Sequence, residues 1–537
     1  MGSADSSNAS PSLLRKSVLA SLLLAGILGA VGLVWWRNET NSSAERANAP
    51  VETTTTVASS TTTSTTMAPT TTATAAPTTT LVTTTTASTT TTTLYDGWVD
   101  PTLVGVPYGD TVAGVLTFRG SPTRTFYGSG PIAETPSILW SFPESGSMCS
   151  LSTSGGETKT WCGSGWTGQP SVWEVGDDTW VAFGAYDRAI HVLDADSGER
   201  EFDDFVTGDI IKGSVTVDPD GFPIIYSGSR DNFFRALAWD RGDELVELWR
   251  LAATDVSPTK WNDDWDGAAL VIDDYLFVGG ENSRIHIVRL NRGYDADGFV
   301  TVDPEIVFDA AGWDDELIRA VGNNVSIENS VAISGNTIYF ANSGGLVQGW
   351  DITDLAVGSE PERVFRYWVG DDVDATIVID EGGFLYVGVE YERGLARARE
   401  VGQIIKLDPT AEDPLIWSVA DRAHLNGGVW ATAALHRDLV IVPTNGGRVL
   451  GIDRDSGEIR WTLNLSGPLW QSPVVVDDVL IQGDCTGQLR AFDVSDTTIK
   501  PPQIWSVDLG GCIESTPAVW NGTIYVGTRG GKFHAVG

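Results

Sequence analysis

Positive charge is scarce in this chain of 537 residues, which has 34 lysines and arginines against 71 aspartates and glutamates and a formal net charge of −37. The phosphates of a nucleic acid would repel so acidic a protein, which excludes nucleic acid as a partner. Histidine and cysteine are also rare, at five and four residues. No C-x-x-C pair, P-loop or G-x-S-x-G elbow occurs, so the common zinc, P-loop nucleotide and serine-hydrolase sites have no motif here.

Glycine and tryptophan, in contrast, are abundant, at 59 and 21 residues, and 42% of the residues are hydrophobic. This composition excludes global disorder and a collagen-like chain, and it is typical of an all-β protein rich in turns. The length exceeds what one ordinary hydrophobic core accommodates, which predicts several folding units or a repeat array.

The only long apolar run near the N-terminus covers residues 17–36, which carry no charge and are numerous enough to span a bilayer as a helix. The pair Arg15-Lys16 precedes the run, and the pair Trp35-Trp36 ends it at the depth of an interfacial aromatic belt. We expect a single-pass signal anchor in the cell membrane, with residues 1–16 in the cytoplasm. The alternative is a cleaved signal peptide, although the small-x-small sequence at residues 47–49 lies far downstream.

Residues 37–94 lack the features of a folded domain. Within them, residues 53–93 contain no charged residue and consist of threonine runs interrupted by Ala, Ser and Pro. Such a segment cannot bury enough apolar surface to offset its ordering entropy, so we expect a disordered linker, either bare or O-glycosylated. It would hold the rest of the chain, a lead-in segment over 95–136 and a folded domain over 137–537, outside the cytoplasm.

The folded domain is repetitive. Small residues followed by an apolar run recur at intervals of 41 to 62 residues, which matches a four-stranded propeller blade with its loops. The eight aligned openings begin at Gln169, Lys212, Asp266, Glu328, Asp374, Trp430, Gln471 and Glu514.

The clearest complete repeat runs from Asp453 through Ser456-Gly457 to Trp461, where the Ser-Gly pair makes a turn and the tryptophan opens an outer strand. This D-x-x-[ST]-G-x-x-x-W pattern resembles the PQQ-type β-propeller repeat of quinoprotein dehydrogenases, which also occurs in the propeller subunit of the outer-membrane β-barrel assembly machinery. The resemblance covers residues 137–537 and implies an all-β, eight-bladed propeller.

The ends of the array predict how the ring closes. The eighth repeat, residues 514–537, supplies three strands and stops, whereas Ile138-Leu-Trp140-Ser-Phe142 has the sequence of an outer strand and no blade of its own. Pairing the two would remove the exposed sheet edge of an open ring. We therefore expect residues 138–142 to complete the eighth blade.

The four cysteines belong to a domain that we expect outside the cytoplasm, where cysteines pair as disulfides. Three pairings are possible. Cys485 and Cys512 fall in loops of neighbouring blades that share one face, which favours that pair. Cys149 and Cys162 would then close a Gly/Ser-rich insertion before the first blade. A four-cysteine zinc site is the alternative, which the missing C-x-x-C spacing disfavours.

Polar side chains are concentrated at the starts of the first strands and in the loops between second and third strands, which meet at one mouth of the channel. Carboxylates and amides of three adjacent blades form an oxygen-rich setting that Ca²⁺ prefers, although Asp and Asn are also ordinary turn residues. The candidate ligand-binding residues are Asp263, Asp264, Asp266, Glu328, Asn329, Asp372, Asp374, Arg188, Arg230, Arg284, Trp265 and Trp430. The two tryptophans could stack on a ligand or simply fill the mouth.

The resemblance to quinoprotein dehydrogenases implies calcium and a quinone at this end, with a Glu, an Asn and an Asp as ligands. In this sequence it points to Glu328, Asn329 and Asp374 as a possible calcium site. The adjacent cysteine pair of alcohol-oxidising members and any C-x-x-C-H haem motif are missing, which argues against PQQ and redox catalysis. No catalytic residue is assigned. His191, His286 and His534 share one third-strand position, which packing explains.

Two functions remain open. The first is a membrane-tethered scaffold that binds a protein, peptide or envelope-derived ligand through the polar face. The alternative is a PQQ- and Ca²⁺-dependent dehydrogenase. A role in outer-membrane assembly is a third option, but the lipidated N-terminal cysteine that it implies has no counterpart here.

Overall fold

The computed structural model describes residues 95–154, 156–166, 168–422 and 427–537. The predicted anchor over 17–36 and the threonine-rich linker lie outside these residues. Across the described ranges, no helix combines the length and the apolar composition that crossing a bilayer requires.

Eight antiparallel sheets follow one another along the chain and form the predicted eight-bladed propeller. Blade 1 contains the strands Gly114–Val115, Ser171–Val175, Asp178–Gly184, Ala189–Asp194 and Phe205–Val206; blade 2 contains Thr216–Val217, Ile224–Gly228, Phe233–Ala238 and Val246–Ala252. Blade 3 contains Leu270–Ile272, Tyr275–Gly279, Arg284–Arg289 and Glu305–Ala311; blade 4 contains Ala332–Ser334, Thr337–Phe340, Leu346–Asp351 and Glu362–Trp368.

The second half of the ring repeats this arrangement. Blade 5 contains Val378–Ile379, Leu385–Gly388, Ile404–Leu407 and Leu415–Val419; blade 6 contains Ala434–His436, Leu439–Pro443, Arg448–Asp453 and Ile459–Asn464. Blade 7 contains Val474–Val476, Val479–Gly483, Gln488–Asp493 and Gln503–Asp508; blade 8 contains Ala518–Trp520, Thr523–Thr528, Lys532–Val536 and Ile138–Phe142.

Short elements decorate the loops. Two-stranded sheets are formed by Cys149–Ser154 with Glu157–Cys162, by Gly293–Tyr294 with Val300–Thr301, and by Glu390–Tyr391 with Gly427–Gly428. The described helices are Asp315–Val321 and Ala396–Val401, with 3₁₀ turns at Phe118–Gly120 and Leu355–Val357.

The repeat motif joins blade 5 to blade 6. The Trp417 indole of blade 5 donates a hydrogen bond of 2.9 Å to the Arg454 carbonyl of blade 6. Gly457, at φ 74°, lies so close to Trp417 that a Cβ atom would be 2.8 Å from the indole. Only glycine combines that φ with that proximity, so the motif glycine and the motif tryptophan depend on each other across the blade boundary.

The predicted closure is confirmed. Strand Ile138–Phe142 pairs antiparallel with Lys532–Val536, in a register that places Ser141 opposite His534. The Trp140 indole donates 2.9 Å to the Ala195 carbonyl of blade 1, which reproduces the contact of Trp417. The first and last parts of the propeller are therefore held in one sheet.

The lead-in segment is more than a connection. Residues 113–129, which we call the plug, hydrogen-bond to the inner edge of every blade. The blade partners, from blade 1 to blade 8, are Glu174, Val217, Ala269, Ile333, Ile379, Leu435, Pro473 and Val519. Ala269 and Pro473 immediately precede their innermost strands and the other partners lie within theirs, so the plug fills the channel along these strands.

Both predicted disulfides are present, Cys149–Cys162 and Cys485–Cys512. The first pair lies at the base of the hairpin Cys149–Ser154 and Glu157–Cys162, where the two cysteines face each other in the ladder. The second pair joins blades 7 and 8.

Candidate functional site

A belt of hydroxyl groups fixes the register of the channel mouth opposite the plug. At this belt a backbone N–H of one blade donates to a Ser or Thr hydroxyl of the next blade. The observed pairs are Gln169 to Ser214 (2.9 Å), Ala268 to Ser330 (2.9 Å), Ser330 to Thr376 (3.0 Å), Thr376 to Thr432 (2.9 Å) and Thr432 to Ser472 (3.0 Å). The belt residues therefore occupy equivalent positions around the channel.

Two residues before the belt, the equivalent positions form what we call the channel ring. Its members are Lys212, Asp266, Glu328, Asp374, Trp430 and Trp470. The sequence alignment placed Gln471 and Gln169 at this position, which is wrong. The hydrogen-bond register puts Trp470 in line with Trp430, and it aligns Gln169 with Ser214 rather than with Lys212.

The blade 2–3 side of the ring is a compact ionic cluster. Asp266, Glu281 and Glu328 offer carboxylate oxygens that lie within 4.8 Å of one another. The Lys212 ammonium forms an ion pair with Asp266 and lies 3.5 Å from Glu281. Burial lowers the pKa of Lys212, but Asp266, Glu281 and Glu328 outweigh this effect and hold that pKa well above its ordinary value. Lys212 is therefore a cation built into the carboxylate cluster.

A second ion pair lies next to this cluster. Arg230 binds the carboxylate of Asp264 at 2.6 Å. Burial raises the pKa of Asp264 to about 6, although Arg230 opposes the rise.

On the blade 4–5 side, fewer cations lie close to the buried carboxyl groups. Asp374 shares a hydrogen bond with Glu390, and burial together with neighbouring carboxylates raises the pKa of both groups well above the usual range. Burial also raises the pKa of Asp372, whose closest cation is Arg393 at 3.4 Å. Glu328, at the boundary of the two sides, accepts hydrogen bonds from Ser326 (2.7 Å) and Ser343 (3.1 Å).

The aromatic part of the ring continues from these carboxyls. Trp430 and Trp470 stack with their ring centroids 5.2 Å apart and their planes 10° from parallel. Trp166, from the loop that follows the disulfide-linked hairpin, meets Trp430 edge-on at 5.1 Å. Of these three tryptophans, the sequence analysis had singled out Trp430; a correct alignment of blade 7 would have identified Trp470 as its partner.

Several predicted site residues lie elsewhere. Trp265 is fully buried between blades 2 and 3, where it packs against Phe234 and donates to the Asn232 carbonyl at 3.1 Å, so it cannot stack on a ligand at the mouth. Arg284 binds Asp309 on the outer strand of blade 3, because its side chain follows the sheet outward. Arg188 is exposed and Asp263 is half-buried.

The predicted calcium ligands do not fit that role as a set. Asn329 is buried, and its amide donates to the carbonyls of Ala341 (3.0 Å) and Val373 (2.8 Å) and accepts from the N–H of Ala341. Its oxygen is thereby committed to the backbone of its own blade. A cation among Asp266, Glu281 and Glu328 would have to displace Lys212, whose ammonium already neutralises part of that cluster.

One family model and several solved structures are similar to this chain. Residues 400–537 match the family model described as outer membrane protein assembly factor BamB. No curated protein sequence matches the chain. Among solved structures, quinohemoprotein alcohol dehydrogenase from Comamonas testosteroni aligns at 13% identity over 79% of this chain and 80% of that one, with a TM-score of 0.51. BamB from Moraxella catarrhalis aligns at 17% identity over 68% of this chain and 92% of that one, with a TM-score of 0.46.

The repeat motif, the closed ring of eight sheets and the family match lead to one structural assignment. The described part of the chain is a PQQ-type, eight-bladed β-propeller.

Proposed function

We propose that this protein is a binding module that takes a protein, peptide or envelope-derived ligand at the channel ring. The observation that carries the proposal is the composition of the two channel ends. The plug fills one end with buried backbone and side-chain contacts, whereas the other end gathers carboxyl groups, cations and stacked indoles in one ring. Concave sites that combine aromatic walls with a few fixed polar groups are typical ligand-binding sites.

The family match supports a protein partner, since its description is that of an outer membrane assembly factor. The two disulfides support an oxidising compartment, because the cytosol keeps thiols reduced. Together with the apolar run over 17–36, these features favour a propeller tethered to the cell membrane on its extracytoplasmic side.

The tether is tested by fractionation of the host cells. The full chain is expected in the membrane pellet and resistant to a high-salt wash, with its propeller cleaved by protease added to intact spheroplasts. A variant that lacks residues 1–94 should be released into the soluble fraction. A full chain that is itself soluble would contradict the tether and leave the ring proposal standing.

The ring is tested by cross-linking. Asp266→Asn, Glu328→Gln and Asp374→Asn, combined in the full chain, should abolish capture of the partners that the wild-type protein retains. The matched control is Glu305→Gln, Glu316→Gln and Asp496→Asn, which removes the same charge from exposed positions outside the ring. Equal capture by both triple variants would exclude the ring as the binding face.

The alternative, a PQQ- and Ca²⁺-dependent dehydrogenase, has less support. The backbone hydrogen bonds of Asn329 and the ion pairs of Lys212 do not suit the expected ligand set. Reconstitution with PQQ and Ca²⁺ tests it directly: a quinone absorbance that stays with the protein through gel filtration, together with dye reduction by alcohols or aldoses, would establish it in place of the binding role.

A further inference from the structure

Carboxyl groups outnumber cations around the ring. The acidic side chains of blades 2 to 5 that face or adjoin it are Asp264, Asp266, Glu281, Glu328, Asp372, Asp374, Glu390 and Glu392. The cations that interact with them are Lys212, Arg230 and Arg393. An uncompensated buried charge is costly, so such an excess persists either in protonated form or with a cation bound.

The chain itself shows which cation this ring accommodates. The primary ammonium of Lys212, whose side chain is 12% exposed, lies at one ring position and binds the carboxylate at the next, Asp266. It also faces Glu281 and Glu328. On the other side of Glu328, Asp374 has no equivalent ammonium among the described residues. The two sides therefore present similar carboxyl groups. The protein supplies an ammonium at the ring position itself on only one of them, while Arg393 lies near Asp372 on the other.

Unsatisfied polar atoms mark the sites that a ligand could complete. The Tyr186 side chain is fully buried, and its hydroxyl lacks a hydrogen-bond partner within the described part of the chain. It interacts electrostatically with Lys212, Asp266 and Glu514. On the opposite side, one carboxyl oxygen each of Asp372 and Asp374 is buried without a partner in the same described ranges.

The stacked indoles border this unsatisfied side. The belt hydrogen bond from Thr376 to Thr432 places Asp374 and Trp430 at neighbouring ring positions. Glu390 is tied to the same place, because the Glu390–Tyr391 strand pairs with Gly427–Gly428, just before Trp430. Carboxylates next to indoles suit an organic cation, since the carboxylates bind its charge and the indoles pack against its alkyl stem.

We propose that the channel ring binds its ligand through an alkylammonium or guanidinium group, which Glu328, Asp372, Asp374 and Glu390 receive beside Trp430 and Trp470. This inference rests on the proposed function and names the chemistry of its ligand. A lysine or arginine side chain of a peptide and a free alkylamine carry the same group, and the experiment separates these two sources.

Proton linkage predicts how the affinity of this site for a cation depends on pH. The groups that face Asp374 are Glu328, Asp372, Glu390 and Glu392, with Arg393 as the nearby cation. Because the pKa values of Asp372, Asp374 and Glu390 are raised, the empty site retains protons that a bound cation must expel. Affinity for a quaternary ammonium, which does not titrate, should therefore increase as the pH rises, with protons released on binding.

The direct test is titration calorimetry on the full chain in detergent, with four probes. These are a blocked tetralysine peptide, its norleucine analogue, propylammonium and tetramethylammonium. A peptide source predicts that tetralysine binds at least about tenfold more tightly than propylammonium, and a small-amine source predicts the reverse order. Binding of the norleucine peptide as tight as that of tetralysine, or no binding of any cation, overturns the inference.

Two variants locate the binding. Glu328→Gln with Asp374→Asn should weaken cation binding by about tenfold or more, because charge-assisted hydrogen bonds are lost. Glu305→Gln with Glu316→Gln, a matched loss of exposed charge, should leave it unchanged. Unfolding curves of both variants exclude misfolding, and equal weakening in both overturns the site.

Chemical rescue provides a readout independent of the ligand. Lys212→Ala leaves Asp266 and Glu281 without their ammonium, so the unfolding temperature should fall, and propylammonium, which replaces the lost side-chain atoms, should restore it. Propanol is the matched neutral control. If propanol restores the unfolding temperature equally, or if propylammonium does not restore it, the ring does not accept an added ammonium and the inference fails.

The two proposals fail in different ways. Loss of capture in the ring triple variant without any amine binding would retain the binding function and reject the cationic ligand. Amine binding with capture unaffected by the ring would reject the ring as the partner-binding face. Calcium is the last control: Ca²⁺ binding in place of the amines would assign the ring to a metal and overturn the inference.

Discussion

At the residue scale, two histidines at one repeat position show how neighbouring groups determine a pKa. His191 and His286 occupy the same place in the third strands of blades 1 and 3, as the sequence indicates. His191 bonds Asp204 at 2.8 Å and Asp187 at 3.2 Å, and these hydrogen bonds outweigh burial and raise its pKa. Burial lowers the pKa of His286 to about 3, with Arg284 adding to the effect.

The two histidines should therefore affect stability with opposite pH dependence. His286 stays neutral in the folded state but is protonated in the unfolded chain below pH 6.5, so it destabilises the wild type by about 2 kcal/mol as the pH falls from 7 to 5. His191 binds its proton more tightly when folded, so its contribution is present below pH 6.5 and is lost as the pH rises.

Urea unfolding of His286→Gln and His191→Gln at pH 5 and pH 7 checks this pair. The difference in unfolding free energy between wild type and His286→Gln should shrink at pH 5, and that between wild type and His191→Gln should grow. Parallel pH profiles for the two variants would contradict the assigned protonation states.

At the element scale, the repeats were predictable because a similar local pattern of strands and turns recurs along the chain. A tryptophan occupies the same place in the outer strands of blades 2, 5, 6, 7 and 8. The register of blade 7 was not predictable, because Trp470-Gln471-Ser472 fits two alignments and only the Thr432–Ser472 hydrogen bond selects one. The plug was missed for a different reason. Its contacts are non-local and it belongs to no repeat, so no recurring pattern in the sequence marks it.

The motif turn offers a matched test of packing across blades. Gly457→Ala should destabilise the propeller by more than 2 kcal/mol, because a Cβ at φ 74° is strained and would also clash with Trp417. Gly242→Ala has a similar φ of 89° but no neighbouring atom within 4 Å, so it should cost only about 1 kcal/mol. Equal losses in thermal unfolding would show that the contact between turn and tryptophan contributes nothing.

The plug should stabilise the propeller through Arg119. Its guanidinium is fully buried, binds the Ala433 carbonyl at 2.5 Å and the Pro473 carbonyl, and lies 4.2 Å from the Tyr127 ring. Arg119→Met leaves both carbonyls without this donor and should cost about 2–5 kcal/mol in denaturant unfolding. Arg319→Met, at an exposed position of the helix Asp315–Val321, should change stability by no more than about 0.5 kcal/mol.

At the scale of the whole molecule, ring closure and the sign of the charge were predictable, and the detailed site was not. The count of strands at the two ends of the array was enough to predict closure. The site depended on which polar residues already bind one another, and sequence does not reveal that the backbone engages Asn329 or that Arg284 follows its sheet outward. The sequence therefore identified Glu328, Asp372 and Asp374 next to Trp430 but not Glu390.

Because the ring is closed, we expect a destabilising substitution in the closing strand to lower the stability of every blade. Phe142 of the closing strand is 5% exposed and packs against Phe183 and His191 of blade 1. Phe142→Ala should therefore cost about 3–5 kcal/mol. Leu139→Ala, in the same strand but 55% exposed, should cost less than 1 kcal/mol.

The decisive measurement is which blades exchange their amide hydrogens faster in the variant. If the ring unfolds as one unit, the slowest amides of blade 4, across the channel, and those of blade 8 exchange through the same global opening. Phe142→Ala should then speed their hydrogen exchange equally in both blades. Thermal unfolding should remain a single transition at a lower temperature. Faster exchange confined to blades 8 and 1 would mean that the blades open separately, and that the closing strand stabilises only its own sheet.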